Sequence, residues 1–183
     1  MILLSCWDDH YQELADVTEP SKVEWCKKHN VTHVVKRENG YWGKLEAILK
    51  TWKADEWIWW LDTDAKITNI EKFLIIPDKC DYVISCDING LNAGSMLIHC
   101  VEPFKTIIAE SLRRRDAYDW NNNWKDQNAL AYNLWRVPQM VKTVDQKYFN
   151  SYPQNWSEGD LVLHCAGYSL PDKIRILKQN KPQ

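Results

Sequence analysis

Apolar positions recur along the chain with two periods, and the alternation between them predicts an α/β order. Met1–Cys6 is a short continuous apolar run and predicts a first strand. Pro20 and Ser21 predict the opening of a helix, with Ser21 and Glu24 spaced as a capping box ahead of Val23, Trp25 and Cys26. Val31–Lys36 predicts a second strand, and Gly40 the turn after it. Over Tyr41–Trp52 the residues Leu45, Ile48, Leu49 and Trp52 share one helical face. The run Trp57–Leu61, aromatic and β-branched, predicts a buried strand.

The second half continues the pattern. Asp81–Asp87 and Ala93–Cys100 predict strands joined at Ile88–Asn92, where Asn and Gly suit a turn that needs positive φ. Val101–Arg115 and Trp124–Leu134 predict helices, with a polar, Asn-rich loop over Asp119–Asn123 between them. Val141–Ser157 is irregular and aromatic, which predicts a loop covering a cleft. Asp160–Cys165 predicts a last short strand carrying His164, and Leu170–Leu177 a last helix. No repeat, linker or low-complexity segment interrupts residues 1–183, so a single domain is expected.

Chemistry enters at Glu56–Asn69, EWIWWLDTDAKITN. The buried strand ends in Asp62-Thr63-Asp64, which puts two carboxylates at its carboxyl end, where ligands bind in open α/β sheets. Alternate residues of an extended segment face the same way, so both carboxylates can reach one ion. Hard oxygen ligands suit Mg²⁺ or Mn²⁺, which can hold a diphosphate. A solvated turn after a strand is the competing reading of the bare triplet. Trp7-Asp8-Asp9-His10 forms a polar loop at another strand end, a place for a base or ribose to rest. Asp126 lies in the first turn of its helix, where favourable interaction with the helix dipole explains it as well as catalysis does.

Composition narrows the classes. A chain of 183 residues is large enough for one well-buried domain. A net charge of −2 with interspersed signs gives no reason to expect nucleic acid as a partner, and Arg113-Arg114-Arg115, followed by Asp116, reads as a solvated helix end. The 11 tryptophans favour a carbohydrate or nucleotide site, since indole stacks on sugars and bases. Cys6, Cys26, Cys80, Cys86, Cys100 and Cys165 form no C-x-x-C pair and sit mostly in apolar segments, so reduced, buried thiols are expected. No signal peptide or transmembrane segment is evident, which makes a cytoplasmic location the expectation. The oligomeric state is left open.

Six segments then match a known pattern in order. Trp25–Asn30 is similar to an aromatic-Cys-x-x-His segment, and Tyr41–Leu45 to aromatic-Trp-x-Lys-Leu. Glu56–Ala65 carries the strand and D-x-D, Leu91–Ile98 resembles Leu-Asn-x-Gly-Ser, and Asp126–Leu130 resembles Asp-Gln-x-Ala-Leu. Gly159–Gly167, GDLVLHCAG, is similar to a closing His-x-x-Gly strand. Together they resemble the glycosyltransferases of family 34, the galactosyl-, xylosyl- and mannosyltransferases.

The resemblance implies a GT-A-type, Rossmann-like α/β fold with a mixed, mostly parallel central sheet flanked by helices. It also implies a metal-dependent, retaining transferase that moves a hexose or pentose from a nucleotide sugar, by family habit a UDP-sugar, to a glycan or saccharide acceptor. Asp62, Asp64 and His164 would bind Mn²⁺ (or Mg²⁺), and Asp62 and Lys44 would meet the donor. Ser5 and Trp7 would border the base, and Asn92, Gly94 and Ser95 would line the sugar pocket, where the absent glycine side chain lets a hexose approach the backbone. Gly167 would close the donor side. Asp126 and Gln127 would lie at the reacting face: Asp126 as nucleophile of a double displacement, or Gln127 beside an oxocarbenium-like ion pair in same-face attack. The latter is preferred, because an amide beside a carboxylate is a poor glycosidase-like pair.

Two departures stand out. Plant and fungal members carry an amino-terminal anchor and stem, absent from this sequence. Where some members have a Lys soon after His-x-x-Gly, this chain has Tyr168 and Ser169, so phosphate charge must rest on the metal and Lys44, or on Lys173 if the loop folds back. A sugar-nucleotide hydrolase of the same fold and a non-catalytic carbohydrate-binding domain are the rival readings.

Overall fold

Strand β3, Trp57–Leu61, sits inside a six-stranded sheet of order β2-β1-β3-β6-β5-β7. The computed structural model describes residues 1–38, 40–116 and 125–180. The loop expected over Asp119–Asn123, and Trp124 at the start of the next helix, lie outside them. The strands are β1 (Ile2–Cys6), β2 (Thr32–Lys36), β3, β4 (Ala65–Ile67), β5 (Tyr82–Asp87), β6 (Gly90–His99), β7 (Val141–Val144) and β8 (Val162–His164). The helices are α1 (Gln12–His29), α2 (Gly43–Thr51), α3 (Glu102–Arg113), α4 (Lys125–Leu134) and α5 (Leu170–Gln179). In the large sheet β1 pairs parallel with β2 and β3, β7 pairs parallel with β5, and β6 runs antiparallel to both β3 and β5. The expected mixed, mostly parallel sheet flanked by helices is present.

Side-chain alternation along β3 feeds two cores. Ile58 and Trp60 pack with Leu4, Leu45, Ile48, Met96, Phe104 and Ile108 beneath α2 and α3. Trp59 and Leu61 pack on the other face with Leu3, Trp25, Leu97, Phe149 and Val162. Trp25, Trp59 and Trp60 are thus core residues, buried almost completely. Much of the tryptophan excess serves packing rather than a sugar surface.

Two expectations fail in instructive ways. Helix α1 does not open at Pro20; it runs from Gln12 to His29 with Pro20 inside. A proline there lacks the N–H that would bond one turn back and costs ~3 kcal/mol. The helix nevertheless continues because Leu14, Ala15, Thr18, Ser21, Lys22 and Trp25 are buried along it. Ser21 caps nothing: its hydroxyl donates to the Thr18 carbonyl (2.7 Å) and accepts from Ile67 N–H (3.2 Å). Nor is Val141–Ser157 simply a loop over a cleft. Its start is β7, an edge strand of the sheet, and Phe149, Asn150 and Ser151 are fully buried. Four residues, Val-Lys-Thr-Val, were too few to stand out beside the aromatic tail.

Strand β4, which follows the D-x-D, pairs antiparallel with β8 in a separate two-stranded sheet, Ala65 opposite His164. The β5–β6 hairpin closes from Asp87 to Gly90 (φ +106°) and breaks register between Ile84 and Ser85. That bulge takes Ala93–Ser95 out of pairing with β5. Bulges re-aim side chains and concentrate beside sites. Among the described residues no helix is long and apolar enough to cross a membrane.

Beneath the D-x-D, Lys22 is wholly buried, and its ammonium donates to Glu19 Oε1 (2.7 Å), Ser5 Oγ (3.1 Å) and the Asp62 carbonyl (3.0 Å). His33 Nε2 lies 3.0 Å from the other Glu19 oxygen. Burial opposes ionisation of Glu19, but Lys22 and His33 outweigh it and hold its carboxyl below the usual range. We expect Lys22→Met to cost ~3–5 kcal/mol at neutral pH, because it strands a buried carboxylate. A depressed carboxyl stabilises the fold above the unfolded value of about 4.3, and that contribution is lost as the pH falls through the folded value. The gap between wild type and variant should therefore narrow below about pH 4. Urea titrations at pH 7 and pH 3 measure it; an equal gap at both contradicts the ion-pair account.

Candidate active site

The D-x-D turn is held by its own backbone. Asp62 N–H donates to the Gly94 carbonyl (2.8 Å), and the Thr63 carbonyl accepts from Thr18 Oγ1 (2.8 Å). The Asp64 carbonyl accepts from Cys165 N–H (2.9 Å), and Thr63 Oγ1 donates to the Cys6 carbonyl (2.8 Å). These bonds tie the triplet to β1, α1, β6 and the end of β8. Both carboxylates are left for side-chain chemistry, with Asp62 Oδ1 accepting from Trp60 Nε1 (2.7 Å).

The β4–β8 pairing delivers His164 to this point. Ligand atoms of Asp62, Asp64 and His164 all lie within 4.8 Å of one another, a grouping that could hold a metal ion. His164 Nε2 is 3.2 Å from Asp64 Oδ1, and Nδ1 faces Asn150 Oδ1 at 2.8 Å. One imidazole and two carboxylates, with the second ring nitrogen bonded outward, fit a divalent cation such as Mn²⁺. Lys173, from the first turn of α5, reaches Asp64 Oδ2 at 2.6 Å. The loop after Gly167 does fold back. Burial opposes ionisation of Asp64, yet His164 and Lys173 outweigh it and hold the carboxyl far below its usual range. Burial, reinforced by Asp64 and opposed by Lys44, pushes Asp62 up. The two carboxylates are unequal partners.

Lys44 joins the acidic cluster to α4. Its Nζ lies 3.2 Å from Asp62 Oδ1 and 3.1 Å from Asp126 Oδ2, donates to the Ala93 carbonyl (3.0 Å), and sits 5.7 Å above the Trp60 ring centroid. Burial alone would discharge it, but Asp126 and Asp62 push its pKa above the ordinary lysine value. Beside Asp126, Gln127 Oε1 accepts from Ala93 N–H (2.9 Å). Asp62, Asp64, His164, Lys44, Asp126 and Gln127 thus form one connected group.

Of the other candidates, Gly94 lies against this group and the rest bond or pack elsewhere. All four hydrogen-bonding positions of Asn92 are used within the protein: its Nδ2 donates to Asp87 Oδ2 (3.0 Å) and to the Tyr152 hydroxyl. Its Oδ1 accepts from Gly94 N–H (2.9 Å) and Asn150 Nδ2 (2.9 Å). The space over Gly94 holds the His164 ring, since an added Cβ would lie 2.1 Å from its Cε1. What approaches the backbone there is the imidazole. Ser95 is buried, its hydroxyl accepting from Trp59 Nε1 (2.9 Å). Ser5 is also buried, donating to the Leu61 carbonyl (3.0 Å). Trp7 lines an open hollow of about 530 Å³ along α1 with Asp16, Glu19 and Lys27, and no residue of the acidic cluster lines that hollow. Gly167 is exposed with φ +80° and open space where a side chain would stand.

A profile of the galactosyl transferase GMA12/MNN10 family matches residues 1–80 and 75–172. The chain belongs to that family, glycosyltransferase family 34. It is 28% identical over 185 residues to a probable alpha-1,2-galactosyltransferase of Schizosaccharomyces pombe, covering 74% of this chain and 56% of that protein. It therefore spans little more than half of that relative. Among solved structures, a glycosyltransferase involved in the glycosylation of the major capsid of PBCV-1 superposes with a TM-score of 0.82 at 17% identity, covering 97% of this chain and 98% of that one. Drosophila β1,4-galactosyltransferase 7, in a complex with manganese, UDP-Gal and xylobiose, superposes with a TM-score of 0.52 at 14% identity, covering 91% and 71%. The fold is GT-A.

Three elements of this family member's site were not foreseen. Lys22 gave no signal, since a lysine inside a helix is usually solvated. Asn150 and Tyr152 fell in the stretch without periodicity. The Leu-Asn-x-Gly-Ser segment was seen, but its role as a seat for His164 depends on a contact no sequence spacing reveals. We expect Gly94→Ala to cost ~1–3 kcal/mol by overpacking. Adding His164→Ala should recover most of that, giving a coupling of ~0.5–3 kcal/mol in a urea double-mutant cycle. Additive costs would mean that the ring does not rest on Gly94.

Proposed function

We propose that this chain is a metal-dependent, retaining glycosyltransferase that moves a hexose or pentose from a UDP-sugar to a glycan or saccharide acceptor. The convergence of Asp62, Asp64 and His164 beside Lys44 carries the reading. A carbohydrate-binding domain would have no use for this group, and Trp25, Trp59 and Trp60 are buried rather than available to stack on a sugar. The described residues act as one catalytic domain. A cytoplasmic location belongs to the same proposal.

Asp62, Asp64 and the Nε2 of His164 would hold Mn²⁺ or Mg²⁺. When bound, the cation neutralises the donor diphosphate and stabilises it as a leaving group. Lys44 stays charged at the edge of this group and adds field at the donor. Lys173 holds Asp64 ionised and would add a second basic group on the donor side. The Lys44 ammonium at 3.1 Å draws charge from Asp126 and weakens it as a nucleophile. That supports same-face attack. Gln127, oriented by its bond to Ala93 N–H, then stabilises the cationic sugar, and the departing phosphate accepts the acceptor's proton.

Calorimetric titration with UDP and GDP, with and without Mn²⁺, tests the donor site. We expect UDP to bind only with the metal, and Asp64→Asn to abolish binding. Failure of both nucleotides under every metal condition overturns the proposal. With UDP-galactose and a saccharide panel, the anomeric configuration of the product, read by NMR, distinguishes retention from inversion and transfer from hydrolysis.

A further inference from the structure

Hydrogen-bond polarity around His164 can be worked out from its fixed ends. The Asp87 carboxylate, when ionised, can only accept, and Gly94 N–H can only donate. Both meet Asn92. Asp87 Oδ2 takes the amino end of its amide (3.0 Å), and Gly94 N–H takes the carbonyl end (2.9 Å). Tyr152 reinforces the first contact, donating its hydroxyl to Asp87 Oδ2 at 2.6 Å. The Asn92 carbonyl also faces Asn150 at 2.9 Å, so the Asn150 atom there must be its amino nitrogen. The same nitrogen donates to Ser85 Oγ (2.7 Å). The Asn150 carbonyl is then left for His164 Nδ1, 2.8 Å away, and that ring nitrogen must carry a proton.

We propose that Asn150 is a positioning residue which, oriented by Asp87 through Asn92, keeps a proton on His164 Nδ1, so that Nε2, which faces Asp64 Oδ1 at 3.2 Å, is the ring nitrogen that exchanges its proton for a metal ion. The inference rests on the metal-dependent reading of the site. Asn150 and Asn92 are buried, the former completely, so water does not compete for these bonds. Gly94 completes the device by giving the ring room to lie against β6. The Asn-x-Gly pair of β6 thus serves the histidine twice: its asparagine sets a proton and its glycine sets a position. Partners of this kind on the far nitrogen of a metal-binding histidine fix tautomer and ring orientation.

Long-range ¹H–¹⁵N correlation spectra of histidine-labelled protein, with and without Mg²⁺ and UDP, read the proton directly. Wild type should show a protonated Nδ1 in both conditions, with only Nε2 changing on metal addition. In Asn150→Ala the Nδ1 signal should lose that character, and Mn²⁺ affinity by electron paramagnetic resonance should fall about 10- to 100-fold. Asn150→Asp keeps an acceptor at Nδ1 and should keep the Nδ1 proton, although its second oxygen then meets the Asn92 carbonyl as one acceptor against another; should the alanine variant not fold, this one carries the test. An unprotonated Nδ1 in wild type or in Asn150→Asp overturns the relay. Unchanged Mn²⁺ affinity in Asn150→Ala also overturns it while leaving the metal reading intact. A protein that binds no Mn²⁺ yet loses the Nδ1 proton only in Asn150→Ala supports the relay and overturns the metal reading instead.

Discussion

Two carboxylates one residue apart at the end of a buried strand repel each other, and burial makes each more costly to ionise. The arrangement around Asp62 and Asp64 answers that problem. Lys44 lies against Asp62, Lys173 and His164 against Asp64, and the triplet's backbone together with the Thr63 hydroxyl is bonded to four neighbouring segments. Lys22 adds a fully buried ammonium under the Asp62 carbonyl. On the proposed function, a divalent cation between the carboxylates would complete the same charge balance. A cation and a diphosphate arriving together would then each neutralise what the other brings.

The fold exists at this point to join distant pieces of chain. Asp64 and His164 lie far apart in sequence, and the short β4–β8 pairing, with Ala65 opposite His164, helps bring them into contact. The bulge in β6 turns Ala93–Ser95 away from β5. In consequence the Gly94 carbonyl meets Asp62, the Ala93 carbonyl meets Lys44, and Gly94 itself meets the imidazole. A regular hairpin would place side chains where these contacts are made. Helix α4 then adds Asp126 and Gln127 through Lys44 and Ala93 N–H.

Elements whose signal is local were legible in the sequence. Strand β3 with its D-x-D, the β5–β6 hairpin, helices α2 and α3 and the last helix all follow from periodicity and turn residues within a dozen positions. The start of α1 was misread because Pro20 and Ser21 mimic a helix entry, whereas burial of the α1 face against the sheet decides the matter. Strand β7 and Asn150 were hidden, since an edge strand of four residues and a single buried amide leave no periodic trace. Ser95 shows the limit of motif reading: its neighbours build the site while its own hydroxyl is held by Trp59 in the opposite core. Lys173 depended on a chain reversal after Gly167 that composition could pose but not decide.

The central claim is that three side chains from two separated segments close on one divalent cation. Diffraction from crystals grown with Mn²⁺ and UDP, collected at the manganese edge, tests it most directly. The account predicts one strong anomalous peak within bonding distance of His164 Nε2 and the Asp62 and Asp64 carboxylates, with the diphosphate on its open side and Nδ1 still against Asn150. A peak elsewhere with UDP bound, or UDP bound while Lys173 and His164 keep Asp64 to themselves, would contradict it.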